Sequence, residues 1–303
     1  MMKKILSCVG TCFLFLYVLG QNDTSSVSVQ NDSLSARADS LSTVVVPLNL
    51  DSISVTKQKI YRLRPGVDIP VFFVGASWSG YAFTKIYSKP HSNEETILGL
   101  DKNKINGFDR WAVRPFSKSV DRASYFPFFA SMPLPFIFLT GKKTSKDFFK
   151  LTFLYLESMS ITGLLYTGST YFFDRYRPYA YSAETPIDQR SRGGAKNSFY
   201  AGHVALVATS TFFMAQVYSD YHPDSKVKWL FYTLAGASTA TTAYLRYRAG
   251  QHFPSDLLLG MAQGTLTGIL VPHFHKYILK NTHLSIIPAS NGQTHTLSVV
   301  YRF

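Results

Sequence analysis

The sequence predicts an all-α protein, a helical bundle with a short C-terminal β-hairpin. Uncharged apolar runs of 16 to 19 residues recur along the chain, at 69–84, 123–140, 158–173, 204–219, 229–245 and 257–275. The runs are rich in glycine, alanine, serine and threonine, which suits close packing of helices. Charged residues make up 16% of the chain, against about a quarter in an ordinary soluble domain.

Residues 1–20 have the form of a secretory signal peptide, with two lysines before an apolar run from Ile5 to Gly20. Cleavage is expected near Gly20 or Gln21, and an uncleaved membrane anchor is the alternative. Both cysteines, Cys8 and Cys12, lie inside this segment. The mature chain would therefore have no disulfide framework and no cysteine chemistry.

Three further segments follow the signal. Residues 21–58 are rich in serine, asparagine, aspartate and valine and are predicted to be a flexible arm. Residues 59–280 contain the apolar runs and form the predicted helical domain. Residues 281–303 contain two short β-branched runs around Asn291-Gly292, a hairpin-turn signal. We interpret this tail as a hairpin closing over the domain, because one hairpin cannot close a membrane barrel.

Membrane integration is favoured over a soluble helical bundle, although the runs are near the lower limit of about 17–25 residues for a span. The loop between the second and third runs is expected in the cytoplasm by the positive-inside rule, since it contains Lys142, Lys143, Lys146 and Lys150. With a periplasmic start, the run at 69–84 would be an interfacial or packed helix and not a full span. The predicted location is the bacterial inner membrane, with the functional site facing the periplasm.

The formal net charge of +13 is compatible with phosphorylated substrates, anionic lipid or basic loops beside membrane helices. The chain lacks a basic helix with base-reading polar residues and an aromatic-basic signature, so no nucleic acid partner is predicted.

Three polar clusters lie at the ends of the apolar runs. In the stretch "LRYRAGQHFPSDLLLG", Arg246 precedes His252 by six residues and Asp256 follows it by four. Arg177-Pro178 ends the third run, and Gly202-His203 begins the fourth. Buried or membrane-edge charges cost free energy unless they are paired. On the topology above, all three clusters lie at one end of the bundle.

These residue types suit phosphoryl transfer without a metal. Two arginines provide bidentate clamps for phosphate oxygens, and helix starts at Gly202 and near Pro254 offer free amide groups to an anion. Two histidines can divide the nucleophile and acid roles while an aspartate fixes one imidazole. The pair His273 and His275 is not assigned to a metal, because alternate positions on a helix diverge. No metal or other cofactor is predicted.

At these clusters the chain resembles the type 2 phosphatidic acid phosphatase superfamily. The family signatures are Lys-x6-Arg-Pro, Pro-Ser-Gly-His and Ser-Arg-x5-His-x3-Asp, and they occur here in order over roughly residues 120–278. The resemblance implies a bundle of the kind shared with vanadium haloperoxidases. It implies that His252 attacks phosphorus, that Asp256 orients its ring and that His203 protonates the leaving oxygen.

The same resemblance implies phosphate binding by Arg177, Arg246 and the Gly202 amide. The chain departs from the signatures at three positions: Thr170 replaces the lysine, Ala201 the serine and Tyr200 the proline. Losing one charged hydrogen-bond partner costs about 1.5–3 kcal/mol, or about one to two decades in rate. Lys196 is the predicted replacement charge, with Arg175, Arg190 and Arg192 as alternatives.

The expected function is a metal-independent phosphatase acting on envelope lipid phosphates: lipid A, undecaprenyl diphosphate or phosphatidylglycerol phosphate. The layout looks most like that of lipid A 4′-phosphatases. The alternatives are a soluble periplasmic acid phosphatase, a vanadium haloperoxidase relative, and a non-catalytic envelope protein that binds lipid phosphate through a degenerate site.

Overall fold

A computed structural model describes residues 60–280, 284–290 and 295–301. Six long helices form the bundle: α1 Pro65–Tyr87, α2 Lys118–Ser131, α3 Phe148–Phe172, α4 Gly202–Tyr221, α5 Lys228–Arg248 and α6 Pro254–Lys280. Short α-helices cover Glu94–Leu98, Gly107–Arg110, Leu134–Leu139 and Ile187–Arg190, and 3-10 turns cover Lys102–Lys104, Ser145–Asp147, Pro178–Tyr181 and Gly193–Lys196. The predicted helical fold is confirmed.

Two predicted segments lie outside the described residues, namely the signal peptide at 1–20 and the arm at 21–58. In the tail, strands β1 (Leu284–Ser290) and β2 (His295–Tyr301) pair antiparallel, with Leu284 opposite Tyr301. The residues that join them, 291–294, are also outside the described residues, so the Asn-Gly turn stays a prediction.

The apolar run 123–140 does not form one helix. Helix α2 ends at Ser131, and a separate short helix begins at Leu134. Pro133 lies in the gap, where its missing N–H and its ring disfavour a continuous helix.

Helix α1 packs along α3 in the same direction. Contacts between the two helices advance in the same direction along both: the Phe72 ring is tilted against Phe153, Gly75 approaches Ser160, Ser79 approaches Gly163, and Phe83 lies beside Tyr166. Of the two expectations for the run at 69–84, a packed helix is the one observed. At 23 residues, α1 is about 34 Å long, so it is as long as a membrane span.

Helices α4 and α6 also run parallel, in contact along a row of glycines. Gly260 of α6 faces Ala201, the residue that precedes α4, while Gly264 and Gly268 face Ala205 and Thr209 of α4. A β-carbon at Gly268 would lie 2.7 Å from the Thr209 carbonyl oxygen. The spacing of four residues therefore lets two backbones approach closely, as small residues do in membrane helices.

The outer surface of the bundle is apolar. In the described part of the chain, two helices are long and apolar enough to cross a membrane, Ser145–Phe172 and Pro254–Lys276. Large apolar side chains are exposed on five of the six long helices, all but α4, and they include Phe73, Val74, Phe126, Phe129, Leu165, Trp229, Leu234, Leu266 and Phe274. A water-soluble monomer rarely exposes so much contiguous apolar surface, and membrane association follows.

Candidate active site

His252 lies in the turn between α5 and α6. Gly250 has φ +74°, a conformation that glycine adopts without strain, and Pro254 begins α6. The turn leaves His252 2% exposed, with its Nδ1 2.7 Å from the carbonyl oxygen of Ser198. Since a carbonyl only accepts, Nδ1 carries the proton and Nε2 of the neutral ring keeps its lone pair.

The environment keeps the His252 ring neutral. Burial lowers its pKa well below the ordinary value, and the positive charges of Arg177 and Arg246 lower it further, against the opposing hydrogen bond to Ser198. A neutral imidazole with a free Nε2 is the nucleophilic form.

Arg246 is the most buried cation near this ring. It is 2% exposed, and its Nη1 donates to Asp121 Oδ1 at 2.7 Å and to Ser124 Oγ at 3.1 Å. Its Nε is buried and has no hydrogen-bond partner in the described part of the chain. An unsatisfied guanidinium N–H costs free energy, which an anionic ligand would recover.

Arg177 is half-buried at the start of the Pro178–Tyr181 turn, where its Nε donates to the Gly194 carbonyl oxygen at 3.0 Å. The charges of Arg177 and Arg246 act on both His252 and His203. The fold thus brings together four residues from the three motifs, namely Arg177, His203, Arg246 and His252.

His203 lies in the first turn of α4, against two aromatic rings of α2. The centroids of Tyr125 and Phe128 are 5.0 Å and 4.8 Å from its own. The neighbouring Gly202 is buried, and a β-carbon there would lie 2.5 Å from the Tyr166 ring. The fold therefore requires glycine at this position.

Asp256 holds the His252 loop indirectly. Its Oδ2 accepts from Ser198 Oγ at 2.7 Å and from the Phe253 amide at 3.0 Å, while Ser198 in turn holds the imidazole. The sequence-based interpretation put the carboxylate on the ring itself. The observed geometry inserts Ser198 between them.

Arg175 completes this support. It forms ion pairs with Asp256 and with Asp109, and the Asp109 carboxylate also accepts from Ser255 Oγ at 2.6 Å and from Asn106 at 2.8 Å. Burial would raise the pKa of Asp109, but the hydrogen bonds from Ser255 and Asn106 outweigh it and lower that pKa. Arg175, weighed from the sequence as a spare phosphate ligand, is engaged by two buried carboxylates.

Lys196 is half-buried, and its backbone carbonyl accepts from the Arg175 amide at 2.9 Å. Its proposed role as replacement charge stays a prediction. At the position of the family lysine, Thr170 is fully buried and its hydroxyl lies 3.1 Å from the Phe199 carbonyl oxygen. A different lysine approaches the same turn, since Lys89 Nζ donates to the Thr170 carbonyl oxygen at 2.7 Å and to Asp174 at 2.6 Å.

Tyr166 is a site residue that the motifs did not reveal. The hydroxyl-bearing end of its ring lies over Gly202, and the charges of Arg177 and Arg246 act on its phenol. It precedes Thr170 by four residues, which places both on one face of α3. This four-residue spacing from Thr170, the position of the family lysine, is the feature of the sequence that could have identified Tyr166 as a site residue.

A helical bundle with two arginines and two histidines gathered at one end defines a class of proteins that handle phosphate groups. Residues 151–280 match the family model of the PAP2 superfamily, a segment that includes all three motifs. The segment from 151 to 280 is therefore similar to the PAP2 superfamily, the type 2 phosphatidic acid phosphatases, and this similarity supports a phosphatase.

The chain is similar to a solved structure described as the first transmembrane PAP2 type phosphatidylglycerolphosphate phosphatase from Bacillus subtilis, with 18% identity and a TM-score of 0.40. The similarity covers 70% of this chain and 96% of that one. No curated protein matches the sequence.

Proposed function

We propose that the protein releases phosphate from a membrane lipid phosphate through a phosphohistidine at His252. The observation that supports this most directly is the buried Nε of Arg246, which has no hydrogen-bond partner among the residues that the structure describes and lies near a second guanidinium group and two imidazoles. A phosphate would satisfy that N–H and offset the repulsion between Arg246 and Arg177.

In the proposed first step, Nε2 of His252 forms a bond to phosphorus while the bond from phosphorus to the lipid oxygen breaks. Protonated His203 gives its proton to the leaving oxygen. The negative phosphate favours that protonated form, because it offsets the two nearby guanidinium charges. In the second step, His203 takes a proton from water, the resulting hydroxide attacks phosphorus, and the phosphorus–nitrogen bond breaks.

Two sets of hydrogen-bond donors would stabilise the negative charge on the phosphate oxygens in the transition state. Arg177 and Arg246 would bind the equatorial oxygens, and the Gly202 amide at the start of α4 would donate a further hydrogen bond. Asp256 would act as a positioning residue through Ser198 and Arg175. Lys196 remains a proposed phosphate ligand, to be tested by Lys196→Ala with Lys226→Ala, an exposed lysine at the other end of α4, as the matched control.

Phosphate release from purified lipids tests the function. The panel is lipid A, undecaprenyl diphosphate and phosphatidylglycerol phosphate, with para-nitrophenyl phosphate as the small ester, each with wild type and His252→Ala. We expect release from a lipid, abolished by the substitution, and an acid-labile phosphoprotein after rapid quench. The layout favours lipid A as the preferred substrate within this panel.

The other outcomes separate the alternatives. Binding of a lipid phosphate without turnover would identify a non-catalytic binder, and preference for the small ester without detergent would identify a soluble acid phosphatase. Halide oxidation that depends on added vanadate would identify a haloperoxidase relative.

We further propose that the bundle spans the inner membrane with its phosphate site in the periplasm and its lysine-rich loop, including Lys142, in the cytoplasm. The bundle constrains this topology, because α1 and α3 run parallel and both end near the phosphate site. If both helices cross the membrane, the residues before them, Arg62 and Lys142, lie on the same side, opposite the site. A cleaved signal peptide would instead leave the chain before α1 in the periplasm.

Labelling by a membrane-impermeant maleimide in intact cells decides between these arrangements. Cys8 and Cys12 are first replaced by serine, and single cysteines are placed at exposed Lys102, Lys142 or Arg62. We expect Lys102→Cys to react and Lys142→Cys to react only after permeabilisation. Reaction of Arg62→Cys in intact cells would show that α1 does not cross.

A further inference from the structure

A second polar cluster lies in the bundle, at the end opposite the phosphate site. Asp68 of α1, Glu157 of α3 and His275 of α6 direct one ligand atom each towards a common point, with all three atoms within 4.8 Å of one another. In α6, His275 is 19 residues beyond Asp256, which is about 28 Å along the helix. The cluster is therefore separate from the site described above.

All three side chains are more than nine-tenths buried: His275 is 8% exposed, Asp68 5% and Glu157 4%. Isolated charges in such a place are costly. Glu157 Oε2 in addition has no hydrogen-bond partner in the described part of the chain, although it points at the imidazole, 3.6 Å from His275 Nε2.

The tautomer of His275 makes the cluster an electron-rich pocket. Its Nδ1 lies 2.8 Å from the Val271 carbonyl oxygen, which can only accept, so Nδ1 carries a proton. In the neutral ring, Nε2 then directs a lone pair at Asp68 Oδ2, 3.3 Å away, and at Glu157 Oε2. Asp68 Oδ2 also accepts from the Arg64 amide, but the three acceptors that face one another still require a proton, on Nε2 or on a carboxyl oxygen, or a metal cation between them.

The distances favour the cation. A proton shared between an imidazolium and a carboxylate gives a separation of about 2.7–2.9 Å, shorter than either distance here. Ligand atoms about 2.0–2.1 Å from a tetrahedral zinc ion are instead about 3.3–3.4 Å apart, close to the 3.3 Å and 3.6 Å observed. A divalent ion would also neutralise the two carboxylates completely.

We propose that Asp68, Glu157 and His275 bind a zinc ion that ties α1, α3 and α6 together, with water or a further ligand in the fourth position. The mixed nitrogen and oxygen donor set suits Zn²⁺ better than Mg²⁺, which prefers oxygen ligands alone. The hydrogen bond from Nδ1 to Val271 orients the ring, as is usual for a metal-binding histidine. The expectation of no metal rested on the divergence of His273 and His275, whereas the ligands here come from three different helices.

The test is zinc binding by the full-length protein in detergent, with any affinity tag removed. Equilibrium dialysis against Zn²⁺ followed by elemental analysis should give one ion per chain. At a free zinc concentration one hundred times Kd, the Tm should rise by about 5–10 °C. The Co²⁺ form should show the visible absorption of a tetrahedral ion.

Three variants locate the ion. Glu157→Gln keeps the side-chain shape and should lose the zinc and the zinc-dependent rise in Tm, as should His275→Ala if it folds. His273→Ala, an exposed histidine two residues away, should keep both. Absence of bound zinc in wild type would overturn the proposal and leave a proton-linked triad. Zinc that survives Glu157→Gln would overturn it too, since the ion would then be held elsewhere, for example by His203 and His252.

Discussion

Tyr166 provides a test of how the site compensates for its missing lysine. The substitution Tyr166→Phe removes one oxygen atom and keeps the ring that packs over Gly202. If the hydroxyl donates to phosphate, its loss costs about 1.5–3 kcal/mol, the range for a hydrogen bond to a charged group. If this hydrogen bond is present in the transition state, its loss lowers kcat/KM by about ten- to one-hundred-fold.

Tyr200→Phe is the matched control. Tyr200 is also buried, its ring centroid lies 6.0 Å from that of Tyr166, and its hydroxyl lies 3.1 Å from Gln263 Oε1. Its loss should lower Tm and leave kcat/KM unchanged within a factor of about three. Both variants are assayed by phosphate release from lipid in mixed micelles, with Tm recorded in the same detergent. An unchanged kcat/KM for Tyr166→Phe, or an equal fall in both variants, would refute the reasoning.

Three other predictions concern charge and packing. Because the pKa of His252 is lowered well below its ordinary value in the folded protein, the unfolded chain takes up a proton first as pH falls. The stability that this residue contributes is fully present above about pH 6.5 and is lost below it, so the acid-side slope of stability against pH should be shallower in His252→Ala, as measured by unfolding in urea. Arg175→Met should destabilise the protein by about 3–5 kcal/mol, because it leaves two buried carboxylates without their cation; a change in Tm below about 3 °C would contradict this. Gly268→Ala should lower Tm strongly through the 2.7 Å approach to the Thr209 carbonyl oxygen, whereas Gly236→Ala, with open space around it, should be neutral or stabilising by up to about 1 kcal/mol; equal effects would show that the contact between α4 and α6 is not tight.

The helical fold could be predicted because a span-length apolar run carries its own signal, independent of its neighbours. The gathering of Arg177, His203, Arg246 and His252 could also be predicted, since each lies at the end of an apolar run and the alternating direction of the helices brings those ends together. The site roles assigned to these four residues, and to Asp256, remain proposals.

Contacts between segments far apart in the chain could not be predicted in this way. The sequence places Asp256 four residues after His252, but only the folded loop shows Ser198 between them and Arg175 behind them. Lys89 reaches the turn of Thr170 across 81 positions, a distance over which no spacing rule operates.

The sequence by itself determined the class of the protein, because helix periodicity and motif spacing are local properties of the chain. The tertiary structure decided which buried charges are neutralised and which are still open to a ligand. Arg175 is matched by two carboxylates, while Arg246 Nε and Glu157 Oε2 have no hydrogen-bond partner among the described residues. The reason is physical: the cost of a buried charge depends on the atoms within a few ångströms of it, and in a bundle those atoms come from other helices.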